Sequence, residues 1–125
     1  MIREPRLIRS AEVEVLRATL GLANATKISP AVLASLGELR VFGGCTCGCA
    51  SVDFVPKLSW EGTLRLAEGS ARTERGFLVG VIVWGRPDAL TTLEVFNYDG
   101  ECSDAELPLP ASIAAYTNPV QDFTR

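Results

Sequence analysis

Histidine is absent from this chain, and lysine occurs only at Lys27 and Lys57. The first absence removes the usual activator of a nucleophilic serine or cysteine. Neither lysine lies in a motif, and the glycines at 43, 44 and 48 are not followed by the G-K-[ST] of a phosphate-binding loop. There is no basic stripe either. The net charge is −3 and the isoelectric point about 4.9, which argues against a general nucleic-acid binder. The longest apolar run, Phe77 to Trp84, is far short of the roughly 20 residues of a membrane-crossing helix. The start, Met1-Ile2-Arg3-Glu4-Pro5-Arg6, lacks the apolar region of a secretory signal. The expectation is a cytoplasmic protein with neither a nucleic-acid nor a membrane partner, whose four cysteines are thiols or metal ligands rather than a disulfide framework. No internal repeat, low-complexity tract or linker is visible.

What is present fits one domain spanning residues 1–125. With 47% apolar residues the chain can fill a single core, and at this size folding buries roughly two-thirds of the surface exposed by the unfolded chain. Ser10 is a candidate N-cap for a helix carrying Val13, Leu16 and Leu20 at helical spacing, with Gly21 or Asn24 available for a left-handed end. Ser29-Pro30 announces a second, shorter helix, with Val32, Leu33 and Leu36 as its apolar face and Gly37 as its stop.

From Leu39 the pattern becomes strand-like. Ser51 to Val55 alternates, as does Thr63 to Leu66, and the polar, glycine-bounded stretch from Glu68 to Gly76 reads as a loop. Phe77 to Trp84 is apolar on both faces, as a central strand would be. Gly85-Arg86-Pro87-Asp88 is turn chemistry, and Leu90 to Tyr98 returns as a second strand rich in Thr, Val, Phe and Tyr. The tail, with Pro108, Pro110 and Pro119, reads as extended, with one short turn near Ala111–Ala115. The expected fold class is α+β: two short N-terminal helices packed on one face of a four- to five-stranded, mainly antiparallel sheet.

The least common string is Cys45-Thr46-Cys47-Gly48-Cys49. Three thiols so close, with Cys102 as a distant fourth, are candidate ligands for a soft metal. One residue rather than two separates them, however, and no histidine can complete the set. The same string suits small buried side chains under a glycine-rich bend, and a redox role is a third reading. The stretch Arg40 to Phe54, which contains this string and continues Ala50-Ser51-Val52-Asp53, resembles a C-x-C-G-C-x-[ST]-[VI]-D motif of uncharacterised small bacterial proteins. The resemblance extends in outline to Leu93-Glu94-Val95 and to the acidic, proline-containing end at Leu107-Pro108. It implies a shared fold and a purpose for the cysteine string, and brings no activity with it.

Charge is unevenly placed. Residues 86–125 carry two basic and seven acidic side chains, and no Lys or Arg lies between Arg86 and Arg125. Within that third, Asp99, Glu101, Asp104 and Glu106 cluster behind the last strong strand. They are the candidate partner-binding residues, able to steer a basic protein; the alternative is a solvated loop kept soluble by charge. The spacing lacks the ligand pattern of a calcium loop. Glu94 and Asp53, each mid-strand, would make an acid–base dyad if they met, although outward-facing charge on a half-wet sheet is the commoner arrangement. Trp60, Trp84 and Tyr116 read as core or rim residues.

No catalytic constellation is assembled, so the sequence points away from an enzyme, with no cofactor expected. The preferred expectation is a small protein-binding domain, of the immunity or neutralising kind, offering an acidic surface to a basic partner. The alternative is a metal-binding or redox-responsive domain built on Cys45, Cys47, Cys49 and Cys102.

Overall fold

Helix α1 (Ser10–Leu20) forms where apolar residues recur on one face, and Val15, Leu16 and Leu20 are buried along it together with Thr19. Its start is secured from inside the first turn. The Glu12 carboxylate accepts the Arg9 backbone N–H at 2.8 Å, satisfying a donor that a helix leaves without a partner. Ser10 is therefore the first helical residue and Arg9 occupies the cap position expected for Ser10. The same carboxylate accepts two bonds from the Arg6 guanidinium, at 3.0 and 2.8 Å. Gly21 ends the helix as expected, but in a right-handed conformation with φ −85°, its N–H returning to the Arg17 carbonyl.

The computed structural model describes residues 5–44, 48–98, 101 and 105–115. Around α1 the described elements are β1 (Arg6–Leu7), α2 (Pro30–Ala34), β2 (Arg40–Val41), β3 (Gly43–Gly44), β4 (Val52–Asp53), β5 (Leu64–Arg72), β6 (Leu78–Arg86), β7 (Ala89–Asn97) and β8 (Ala114–Ala115). β1 pairs with β2, and the other six form one sheet in the order β3-β4-β7-β6-β5-β8. Every pairing among the described residues is antiparallel. The α+β class is as expected, with more strands than the four or five anticipated, because β3, β4 and β8 are only two residues long. The expected pair of helices is one main helix and one short turn of helix. In α2 the Ser29 hydroxyl accepts the Ala31 N–H at 3.2 Å, but Ser35 turns its hydroxyl back onto the Ala31 carbonyl at 2.8 Å, a side-chain bond that competes with helix continuation. No residue of α2 is fully buried; Leu36, in the 3-10 turn that follows, is.

β6 does lie between two long strands, as its apolar pattern demands. β5 is the correction. The Glu68-to-Gly76 stretch read as a loop, yet strand runs through to Arg72 and only residues 73–77 turn. Two physical causes hid it. A bulge between Arg65 and Ala67 breaks the two-residue period, so that Leu66 and Ala67 are both buried. Beyond it, the inward positions Ala67, Gly69 and Ala71, opposite Val83, Val81 and Val79, are small, and at Gly69 other chain segments lie directly on the backbone. A Cβ at Gly69 would stand 2.8 Å from the Ala114 carbonyl oxygen, 3.0 Å from Leu22 and 3.1 Å from Ile113. Gly69→Val is accordingly expected to lower unfolding stability by roughly 1–3 kcal/mol through overpacking. Gly37→Ala, where an added Cβ meets nothing within 4 Å, serves as a near-neutral control; chemical denaturation compares the two.

The core fills one side of the sheet. Val79, Val81, Val83, Leu93 and Val95 face Val15 and Leu16 of α1 and Leu36 in a single buried cluster. The opposite face of the sheet, with Leu78, Ile82 and Trp84 of β6 and Glu94 and Phe96 of β7, has no helix over it among the described residues. No helix among the described residues is long and apolar enough to cross a membrane.

Candidate functional site

The acidic segment begins where β7 ends. The Asn97 amide donates to the Glu101 carbonyl at 2.9 Å. The Ala105 carbonyl then accepts the Ala50 N–H, and the Leu109 N–H donates to the Arg72 carbonyl, each at 2.9 Å. Residues 105–109 thus pass from the β4 side to the β5 side across the end of the sheet that holds the β5–β6 turn. Ala105 and Pro108 are buried, and Glu106 between them is exposed. Anchoring the small apolar residues inward turns the carboxylate outward. The Glu106 carboxylate meets Arg75 Nε at 3.0 Å, and both side chains are about half exposed, so this is a solvated ion pair of small energetic weight. Arg75 also lies over the Phe77 ring, 4.8 Å from its centroid. Of the four candidate partner-binding residues, Glu101 and Glu106 are both exposed; Asp99 and Asp104 lie outside the described residues.

Of the cysteine string only Cys49 is described; Cys45, Cys47 and Cys102 lie outside the described residues, as does Tyr116. Cys49 is half-buried and packs against the core. Its thiol donates to the Ser51 hydroxyl at 3.3 Å. It lines a cavity of about 280 Å³ together with Arg6, Phe42 and Gly44. Among the described residues no group of three or more Cys, Asp or Glu converges as a metal site would.

Ser51 has a role that its place in an alternating stretch did not announce. Its hydroxyl accepts the Val95 N–H at 2.8 Å and donates to the Val95 carbonyl at 3.1 Å. One side chain thereby satisfies both backbone groups of an edge position where β4 has already ended. The signal was faint, because a serine beside a short strand more often faces water.

Asp53 and Glu94 do share a face. Asp53 pairs with Thr92 across β4 and β7, and accepts that residue's hydroxyl at 3.1 Å. Glu94 accepts the Trp84 indole N–H at 2.8 Å. Each carboxylate is held by its own neutral donor, and neither is bonded to the other, which is the outward-facing arrangement rather than a dyad. Around them the sequence missed a surface. Trp60 stands edge-on to Trp84 with centroids 5.1 Å apart, and Phe96 to Tyr98 at 5.2 Å. Phe96 also lies over Gly80, where a Cβ would run into its ring. Trp60 is 53% exposed, Leu78 39% and Tyr98 38%, all on or beside this open face.

The described residues therefore form an α+β domain with one helix-covered sheet face, one aromatic face without a helix over it, and a strap carrying Glu106 across one end. No known family model, curated protein or solved structure matches the chain.

Proposed function

We infer that this chain is a small protein-binding domain, of the immunity or neutralising kind, which presents the acidic strap beyond β7 to a basic partner. The observation that carries this reading is the anchoring of the strap. Backbone bonds at Ala105 and Leu109 and the burial of Ala105 and Pro108 support Glu106 as a carboxylate held outward, and the Asn97 amide on the Glu101 carbonyl supports the same for Glu101. Charge held in place costs less ordering entropy on binding than mobile charge, and its field raises the association rate of an oppositely charged protein. The absence of Lys and Arg between Arg86 and Arg125 leaves that field unopposed from within its own stretch of chain; Arg75 reaches it from the β5–β6 turn.

The test compares the native chain with a variant carrying Asp99→Asn, Glu101→Gln, Asp104→Asn and Glu106→Gln. A protein captured by the native chain, identified and shown to be basic, should bind the variant with an association rate lower by about tenfold. Raising ionic strength should produce a similar fall with the native chain. A partner that binds both forms equally and ignores salt would show that the strap is not the recognition surface.

A further inference from the structure

The open sheet face carries charges of both signs interspersed, which favours a partner that itself carries both over a uniformly basic or acidic one. Arg65 and Arg72 lie on it beside Glu68, Glu94 and Asp53. We propose that its occupant is a second copy of this chain, packed face to face about a two-fold axis that runs along the strands between β6 and β7.

The argument is the register itself. In the order β4-β7-β6-β5, such an axis exchanges β6 with β7 and β5 with β4. Residues paired across the sheet sit at the same height on it, so each lands opposite its own cross-strand partner on the other copy. Trp84 lands over Thr92, Ile82 over Glu94, and Leu78 over Tyr98. Ile82 and Thr92 are already buried within one copy, so contact between copies falls to Trp84, Glu94, Leu78 and Tyr98. Arg65 pairs with Trp84, and Asp53 pairs with Thr92. The two outer members of this row therefore face each other, Arg65 of one copy against Asp53 of the second, and the symmetry makes two such ion pairs. A patch that complements itself in this way is what a two-fold interface requires.

Shape agrees with charge. A twisted sheet is saddle-shaped, and a two-fold in its plane along the strands returns the same saddle, so the two faces nest at constant separation. Three long strands about 4.8 Å apart with four side-chain rows about 6.8 Å apart, together with the one outward position of the two-residue β4, give a patch of roughly 400 Å² in projection. Side-chain relief and the projecting Trp60 add to it, making a small interface beside the ~800 Å² per partner of the standard size. The charges that would be covered enter already partnered. Glu94 holds the Trp84 indole, and Glu68 holds Arg65 at 3.2 Å, whose guanidinium has further donors to offer Asp53 of the second copy.

Sedimentation and light scattering on the full chain across micromolar to sub-millimolar concentrations test this. The native chain should reach twice its 13.4 kDa mass. Arg65→Glu and Asp53→Arg, made separately and shown by circular dichroism to be folded, should each weaken self-association by about tenfold or more. An equimolar mixture of the two should recover the dimer, because every facing pair is then opposite in sign. Should either variant fail to fold, Leu78→Asp replaces it as the disrupting change, with dissociation expected. A native chain that stays monomeric at the highest concentration overturns the proposal and leaves the face to a different protein. Variants that dimerise as the native chain does, or a mixture that does not recover, overturn the register.

Discussion

Leu93→Ala is expected to lower unfolding stability by about 2–5 kcal/mol, whereas Leu78→Ala is expected to cost less than about 1 kcal/mol. Both are leucines at paired, neighbouring strands of the same sheet, so helix or strand propensity does not separate them. Layering does. Leu93 is fully buried on the face covered by α1, and Leu78 is more than a third exposed on the other. Truncating Leu93 removes apolar contact and leaves a cavity that the close-packed Val81, Val83 and Val95 around it cannot fill without moving. Truncating Leu78 in the monomer mostly returns surface to water. Urea unfolding at low micromolar concentration keeps self-association out of the comparison. Equal losses at the two positions would mean that both faces are covered.

That asymmetry was only half legible in the sequence. The Phe77-to-Trp84 run is apolar at both parities, and a strand so composed reads as buried on both sides. Its odd positions, Val79, Val81 and Val83, do lie under α1. Of the even ones Leu78 is exposed, while two others are shielded by neighbours in the same layer: Phe96 lies over Gly80, and Trp60 stands against Trp84. Periodicity cannot tell such shielding from a second layer. β5 was illegible for the opposite reason. Its inward positions are alanine and glycine, which carry little hydrophobic signature, and at Gly69 the segments carrying Leu22, Ile113 and Ala114 approach the backbone too closely for anything larger.

The sites follow the same division. The acidic cluster could be read directly, since charge is a property of composition, and the outward aim of Glu106 needed only the anchoring of Ala105. The open face could not, because it exists only once Arg65, Trp84, Thr92 and Asp53 are brought into one row by pairings between residues far apart in the chain. The Arg6 and Glu12 pair was legible as charges and not as a contact. They lie six positions apart, on the extended β1 and the helical α1, and the pairing of β1 with β2 fixes where the guanidinium falls.

Glu12 is also where a fall in pH should cost stability. It is only 4% exposed, and burial alone would push its carboxyl up. The two bonds from Arg6, the Arg9 N–H and the charges of both arginines outweigh that and hold it below the ordinary carboxylate range. A group with a depressed folded value binds fewer protons folded than unfolded, so its contribution is complete above the unfolded value of about 4.3. It is lost as pH falls through the folded one. The native chain should therefore lose stability progressively from about pH 5 downwards. Glu12→Gln should be less stable near neutrality by about 1–3 kcal/mol, towards the lower end because the Arg6 side chain is 35% exposed and solvent shares its charge. Its acid limb should be flatter, so that the two stability curves converge as the pH drops. Denaturant unfolding at a series of pH values checks this. Curves that run parallel, or separate further in acid, would mean that the carboxylate is not held ionised by Arg6 at the head of α1.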